Sequence, residues 1–111
     1  MLAEALTMQS KVADAYTYVD AIRTRAQLAP LTSGFSQDQM MAQIRHQRML
    51  EFARDGQRFY DLKRWELLQQ EITNSDKVGK QFFVAKKHDL FPIPQSELNA
   101  NPKMEQNPNW K

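Results

Sequence analysis

No cysteine occurs in the 111 residues, which excludes disulfides and thiolate-held zinc. The compartment stays open, because exported proteins also dispense with cysteine. Glycine is scarce: Gly34, Gly56 and Gly79 stand far apart, and none belongs to a glycine-rich phosphate loop. His46 and His88 are the only histidines, without a neighbouring ligand at metal spacing. Neither a metal site nor a Ser-His-Asp arrangement is therefore expected, nor is a cofactor. No apolar run approaches the ~20 residues of a membrane-spanning helix. A net charge of +2 lacks the asymmetry of a dedicated nucleic-acid binder. The opening Met1-Leu2-Ala3-Glu4-Ala5-Leu6 has neither the basic flank nor the continuous apolar core of a signal peptide. It reads as the middle of a helix, and the chain as a piece of something longer.

What is present suits a folded, mainly helical chain. Hydrophobic residues make up 41% and charged residues 25%, enough for one modest core. A short helix is expected over about 2–8, with a break at Gln9, Ser10 and Lys11. Val12, Ala15, Val19, Ile22 and Ala26 recur at three and four residues, which predicts an amphipathic helix over 12–26. Arg23 and Arg25 suit its C-terminal dipole. Two such helices resemble one tetratricopeptide-type hairpin, without a second copy. Pro30 and Gly34 punctuate a loop, and Ser36 is a good N-cap for a helix over 37–55. Its stripe holds Met40, Met41, Ile44 and Phe52, with Arg48 in the middle and Glu51 at the edge. The methionines Met40, Met41 and Met49 read as core rather than as a flexible groove.

Gly56 is expected to turn the chain at the helix end with positive φ. A helix over 58–70 should follow, apolar on two sides through Phe59, Leu62 and Trp65 and through Tyr60 and Leu67. Residues 71–81 read as a polar loop. The tail over 82–111 reads as extended and rich in proline and asparagine. Within it Phe82-Phe83-Val84 is extended-prone, Pro92 and Pro94 restrict their neighbours, and Ser96 is placed to cap a short helix through Ala100. The end of the tail should wrap over the helices.

The densest segment runs from Gln47 to Trp65. It reads either as a binding site, with arginines for an anion and aromatics for stacking, or as a helix–turn–helix core tied by ion pairs. Arg48 with Glu51, and Arg58 or Arg64 with Asp61, are within local reach, and the ion-paired core is the preferred reading. On that reading Arg48→Ala should cost ~3 kcal/mol by leaving a buried charge without its partner. Glu51, Asp55 and Asp61 offer paired carboxylates for glycosidase chemistry. Each sits among arginines, which favour the ionised form and spoil a general acid, so no catalytic residue is expected. Tyr16, Tyr18, Tyr60, Trp65 and Trp110 would form a sugar platform where they face solvent. The residues alone do not single out a ligand-binding set.

Three segments taken in order resemble the C-terminal region of the SusD/RagB family. The first is Asp20-Ala21-Ile22-Arg23-Thr24-Arg25-Ala26-Gln27-Leu28. The second is Arg48, Glu51 and Phe52, followed by Asp55-Gly56-Gln57-Arg58-Phe59-Tyr60-Asp61-Leu62-Lys63-Arg64-Trp65. The third is Phe91-Pro92-Ile93-Pro94-Gln95-Ser96-Glu97-Leu98 with Asn101-Pro102 and Gln106-Asn107-Pro108-Asn109-Trp110. Two departures stand out. Gln47 replaces a glutamate, and Gln27 replaces a glycine, so that helix is expected to end without its usual left-handed residue.

The resemblance implies an all-α fold of tetratricopeptide-like hairpins with a long irregular C-terminal tail, the chain being a single C-terminal piece, 1–111, of a larger domain. It implies a non-enzymatic, lipid-anchored protein on the outer face of the outer membrane, with the anchor in a preceding part. Such a protein binds oligosaccharide, or in some relatives peptide. It passes the ligand to a SusC-like, TonB-dependent transporter. Here the segment would be mainly structural and packed on the remainder of its own polypeptide. Two other readings compete. A self-contained helical protein–protein module rests on the hairpin and the basic helices. An RNA-binding module rests on the arginines alone and predicts salt-sensitive binding to single strands.

Overall fold

Helix-forming sequence with an apolar stripe dictates most of the first half of the chain, and helices are what form there. The computed structural model describes residues 1–110; Lys111, the last residue of the expected tail, lies outside the described residues. The order is α1 (Leu2–Met8), α2 (Val12–Arg25), α3 (Gln37–Glu51), α4 (Gln57–Arg64), α5 (Leu68–Asn74), a 3-10 turn (Lys80–Phe82) and α6 (Gln95–Ala100). No strand occurs among the described residues. The fold is all-α, with helical hairpins of the tetratricopeptide-like kind. The described residues divide into two compact units, the first over Met1–Arg58 and the second from Phe59 onward.

In the first unit α1, α2 and α3 pack together. Their core is Ala3, Ala15, Val19, Met40, Met41 and Ile44, bordered by Leu6, Val12, Tyr16, Leu31 and Phe35. Ala3 and Ala15 carry no bulk past Cβ, which lets the helices approach closely. Met40 is fully buried; its unbranched side chain fills the space that the small alanines leave. α3 starts on the expected residue. Ser36 Oγ accepts the Gln39 N–H at 3.2 Å, and Gln39 Oε1 accepts the Ser36 N–H at 2.8 Å, a capping box.

Three helices end by one device. In α1, Lys11 N–H bonds Leu6 O at 2.9 Å and Ser10 N–H bonds Thr7 O at 3.0 Å. In α2, Leu28 reaches Arg23 O at 2.8 Å and Gln27 reaches Thr24 O at 3.0 Å. In α4, Leu67 reaches Leu62 O at 2.8 Å and Glu66 reaches Lys63 O at 3.1 Å. These are Schellman closures, and the residue that must turn left-handed is Ser10, Gln27 or Glu66, with φ of 62°, 57° and 59°. The expectation for Gln27 is thus corrected: the left-handed residue is kept, although it is not glycine. The two closing hydrogen bonds outweigh the steric cost at Cβ.

The same device corrects the expected helix over 58–70. On one continuous helix Leu62 and Leu68 would point ~120° apart. The reversal at Glu66 breaks the helix, and both leucines become buried. The second segment, α5, then extends to Asn74, into the expected loop 71–81. The helix expected over 37–55 stops at Glu51, and left-handed Arg54 and Gly56, φ 76° and 73°, carry the chain to α4.

In the second unit, Phe82 belongs to the 3-10 turn and Phe83 behind it is extended, where an extended run was expected from Phe82 onward. α6 begins behind Pro94, with no side-chain cap, so Ser96 lies inside the helix instead of capping it. The tail's polar side chains grip the chain at 86–93, and Phe91 of the same stretch lies 6.2 Å from Phe59 of α4. Gln106 accepts Ile93 N–H at 2.8 Å and donates to Ile93 O at 2.9 Å. Asn107 Nδ2 donates to Phe91 O at 2.6 Å, and Trp110 Nε1 donates to Lys87 O at 2.8 Å and Leu90 O at 2.9 Å.

Candidate functional site

The segment from Gln47 to Trp65 is divided between the two units, and each part has its own surroundings. In the first unit, Gln47 and not Arg48 is the buried polar residue of α3, at 6% exposure. Arg48 is half-buried. Its guanidinium lies 4.8 Å from the Phe52 ring centroid, and Nη1 donates to Met1 Sδ at 3.5 Å. Glu51 receives Arg25 from α2 as an ion pair. With Arg48, Glu51 and Phe52 along one wall, Met1, Ala3, Val19, Ile22, Ile44 and Gln47 complete an open groove of about 220 Å³. Most of its lining is apolar, and Arg48 and Glu51 supply charge.

In the second unit, Asp61 is 5% exposed and accepts Arg64 Nε at 2.9 Å. Arg64 also lies 4.5 Å from the centroid of the Trp65 ring, so one guanidinium serves both a carboxylate and an aromatic face. Of the three carboxylates considered for catalysis, Glu51 and Asp61 are thus each held by an arginine, and Asp55 is exposed in the turn before α4. No group of three potential metal ligands gathers among the described residues.

The five candidate platform aromatics divide by role. Tyr16 is half-buried, and its hydroxyl accepts Phe35 N–H at 2.9 Å. It works with Asp20, whose Oδ1 accepts Leu31 N–H at 2.8 Å, and with Arg23, whose Nε donates to Ala29 O at 2.7 Å. Positions 16, 20 and 23 share one face of α2, so these three side chains tie the following loop to their own helix. Trp65 and Trp110 are half-buried. Tyr18 and Tyr60 are the exposed pair, at 45% and 61%. Tyr60 meets Phe59 edge-on at 5.5 Å, and Phe59 lies 6.2 Å from Phe91, itself 76% exposed.

One cluster was not singled out from the sequence. His88 lies between Phe83, at 5.8 Å, and Trp110, at 5.5 Å, and Lys87 Nζ stands 4.8 Å over the Trp110 ring. The only signal in the sequence was the spacing of aromatics and cations around residue 88. Twenty-two residues separate His88 from Trp110 in the chain, so no local pattern joins them.

Comparison with known proteins gives a consistent picture. A family profile described as the SusD family matches residues 1–110. The SusD-like protein P2 of Formosa agariphila is 30% identical over 107 residues, covering 89% of this chain and 21% of that protein. The crystal structure of a SusD superfamily protein from Bacteroides vulgatus superposes with a TM-score of 0.91 at 32% identity, over 98% of this chain and 25% of that one. The chain therefore spans about a fifth to a quarter of the length of these relatives.

Proposed function

The chain belongs to the SusD family, and from that premise we propose that it is the C-terminal portion of a nutrient-binding protein on the outer face of the outer membrane. The protein takes up glycans, or in an alternative form peptides, and hands them to a SusC-like, TonB-dependent transporter. It binds its ligand without transforming it, and a lipid on a preceding segment anchors it. The observation that carries this reading is the family match over residues 1–110 together with a TM-score of 0.91.

Within that protein the segment is mainly structural. Its strongest polar groups serve internal geometry: Tyr16, Asp20 and Arg23 hold a loop, Asp61 holds Arg64, and Trp110 holds the chain at residues 87 and 90. The apolar groove of the first unit is the surface on which the remainder of the polypeptide packs. The test is recovery of the tagged protein from outer membranes under mild detergent. A TonB-dependent β-barrel should copurify, and deletion of the gene should abolish growth on one class of glycan. Recovery without a transporter, with growth unchanged on every glycan and peptide source, would sink the reading.

The same groove favours a second reading, a self-contained module that holds an apolar partner helix. A soluble partner recovered with this chain alone, in the absence of any transporter, would establish it.

A further inference from the structure

We propose that the cavity between the end of α5, the 3-10 turn and His88 binds an anionic sugar residue, a pyranose that carries a carboxylate or a sulfate. The cavity is a wide-open surface depression of about 450 Å³, room enough for one sugar ring within the ~300–1,000 Å³ usual for small-molecule sites. Lys77, Gly79, Lys80, Phe82, Phe83 and His88 are among its lining residues, and no aspartate or glutamate lines it. An anion entering it meets cations and no competing carboxylate.

Two of the donors, Lys80 and His88, are held before any ligand arrives. Lys80 Nζ donates to Ser75 O at 2.8 Å, which holds the ammonium in place and leaves two of its three protons for a ligand. Neither Lys77 nor Lys80 makes an ion pair with a described residue. The Val84 N–H donates to His88 Nδ1 at 2.8 Å. A nitrogen that accepts carries no proton, so the neutral ring has its proton on Nε2. Nε2 has no acceptor among the described residues, and the ring is in contact with Phe83 and Trp110.

The apolar part of the cavity selects the rest of the ligand. Phe82 is 72% exposed and Val78 wholly exposed, beside two lysines. A bare inorganic anion would leave that surface wet. A pyranose covers it with its C–H face while its charged substituent reaches the ammonium groups. The left-handed Gly79, φ 96°, starts the 3-10 turn that brings Phe82 and Lys80 to one rim. The sugar half of this assignment rests on the nutrient-binding reading above; the anionic half rests on the cavity alone.

The experiment is calorimetry on the intact protein with three probes: a glucuronate-terminated tetrasaccharide, its 6-sulfated glucose counterpart and the neutral glucose-terminated form. The anionic probes, or one of them, should bind about tenfold tighter than the neutral one. K77Q/K80Q should remove that preference while leaving the helical circular dichroism unchanged. The His88 ring signals should shift on adding the preferred probe, and 0.5 M NaCl should reduce the preference. Equal affinity for charged and neutral probes, with neutral glycans still bound, overturns this site and leaves the nutrient-binding reading standing. A glutamate-rich peptide bound through Lys77 and Lys80 more tightly than any sugar also overturns it. Failure to bind any of a broad set of glycans removes both.

Discussion

The Tyr16 hydroxyl accepts the backbone N–H of Phe35 at 2.9 Å, and the two rings pack at 6.1 Å. One residue of α2 thereby fixes both the main chain and the side chain of the residue that precedes the Ser36 cap. Tyr16→Phe should keep the ring contact and lose only the acceptor. We expect a loss of about 1 kcal/mol, read as faster hydrogen exchange of the Phe35 amide in the intact protein, with the core amides of α2 unchanged. An unchanged Phe35 amide would show that water replaces the hydroxyl without cost.

Asp20→Ala should be the more damaging change in the same loop. It leaves the partly buried Leu31 N–H without its 2.8 Å acceptor, at about 1–3 kcal/mol. Asp20→Asn, which retains an acceptor oxygen, should restore most of the loss. The comparison is made by thermal denaturation followed by circular dichroism.

Glu66→Gly and Gln27→Gly should each raise local stability by about 0.5–1 kcal/mol. The left-handed backbone at φ 59° and 57° costs a residue with a Cβ about 1–2 kcal/mol, partly offset by the greater freedom of glycine in the unfolded chain. Slower exchange of the Leu67 and Leu28 amides would register the gain. A loss at either site would mean that the glutamate or glutamine side chain is itself holding the turn.

Arg48→Ala should cost at least about 1 kcal/mol, the part that its contact with the Phe52 ring contributes. Arg48 is half-buried and lies along Phe52, and the Glu51 carboxylate has Arg25 beside it. Denaturation of the variant beside Phe52→Ala, with the double variant completing the cycle, would measure the coupling of the two side chains.

Much of the first unit was legible in the sequence. Val12 and the three- and four-residue spacing placed α2, and Ser36 placed the start of α3, because caps and periodicity act over one or two turns. Ala15, Val19, Met40, Met41 and Ile44 were legible as core for the same reason, whereas Met49, also read as core, and Ile22 and Phe52 of the same stripes are exposed. The helix ends were not, because the sequence marks a left-handed turn only where glycine occupies it, and Gln27 and Glu66 do so without that mark. The second unit resisted more strongly. The bonds from Gln106, Asn107 and Trp110 to residues 87–93 span 13 to 23 residues, and no local pattern encodes where a long polar side chain will land. Lys77, Lys80 and His88 were visible singly, as loop residues; what joins them is the turn at Gly79.

The grip of the tail falls almost wholly on main-chain atoms: the carbonyls of Lys86, Lys87, Leu90, Phe91 and Ile93, and one amide. Carbonyls are the same in every residue. The gripping side chains at 106, 107, 109 and 110 are therefore constrained in identity, while in the gripped stretch only the side chains that touch them, Lys87 and His88 against Trp110, are constrained as well. Lineages of this architecture should hold the final turn, Lys87 and His88 nearly fixed and vary the side chains at 86 and 90 widely, so that part of the surface this stretch displays can be rewritten without refolding the protein beneath it.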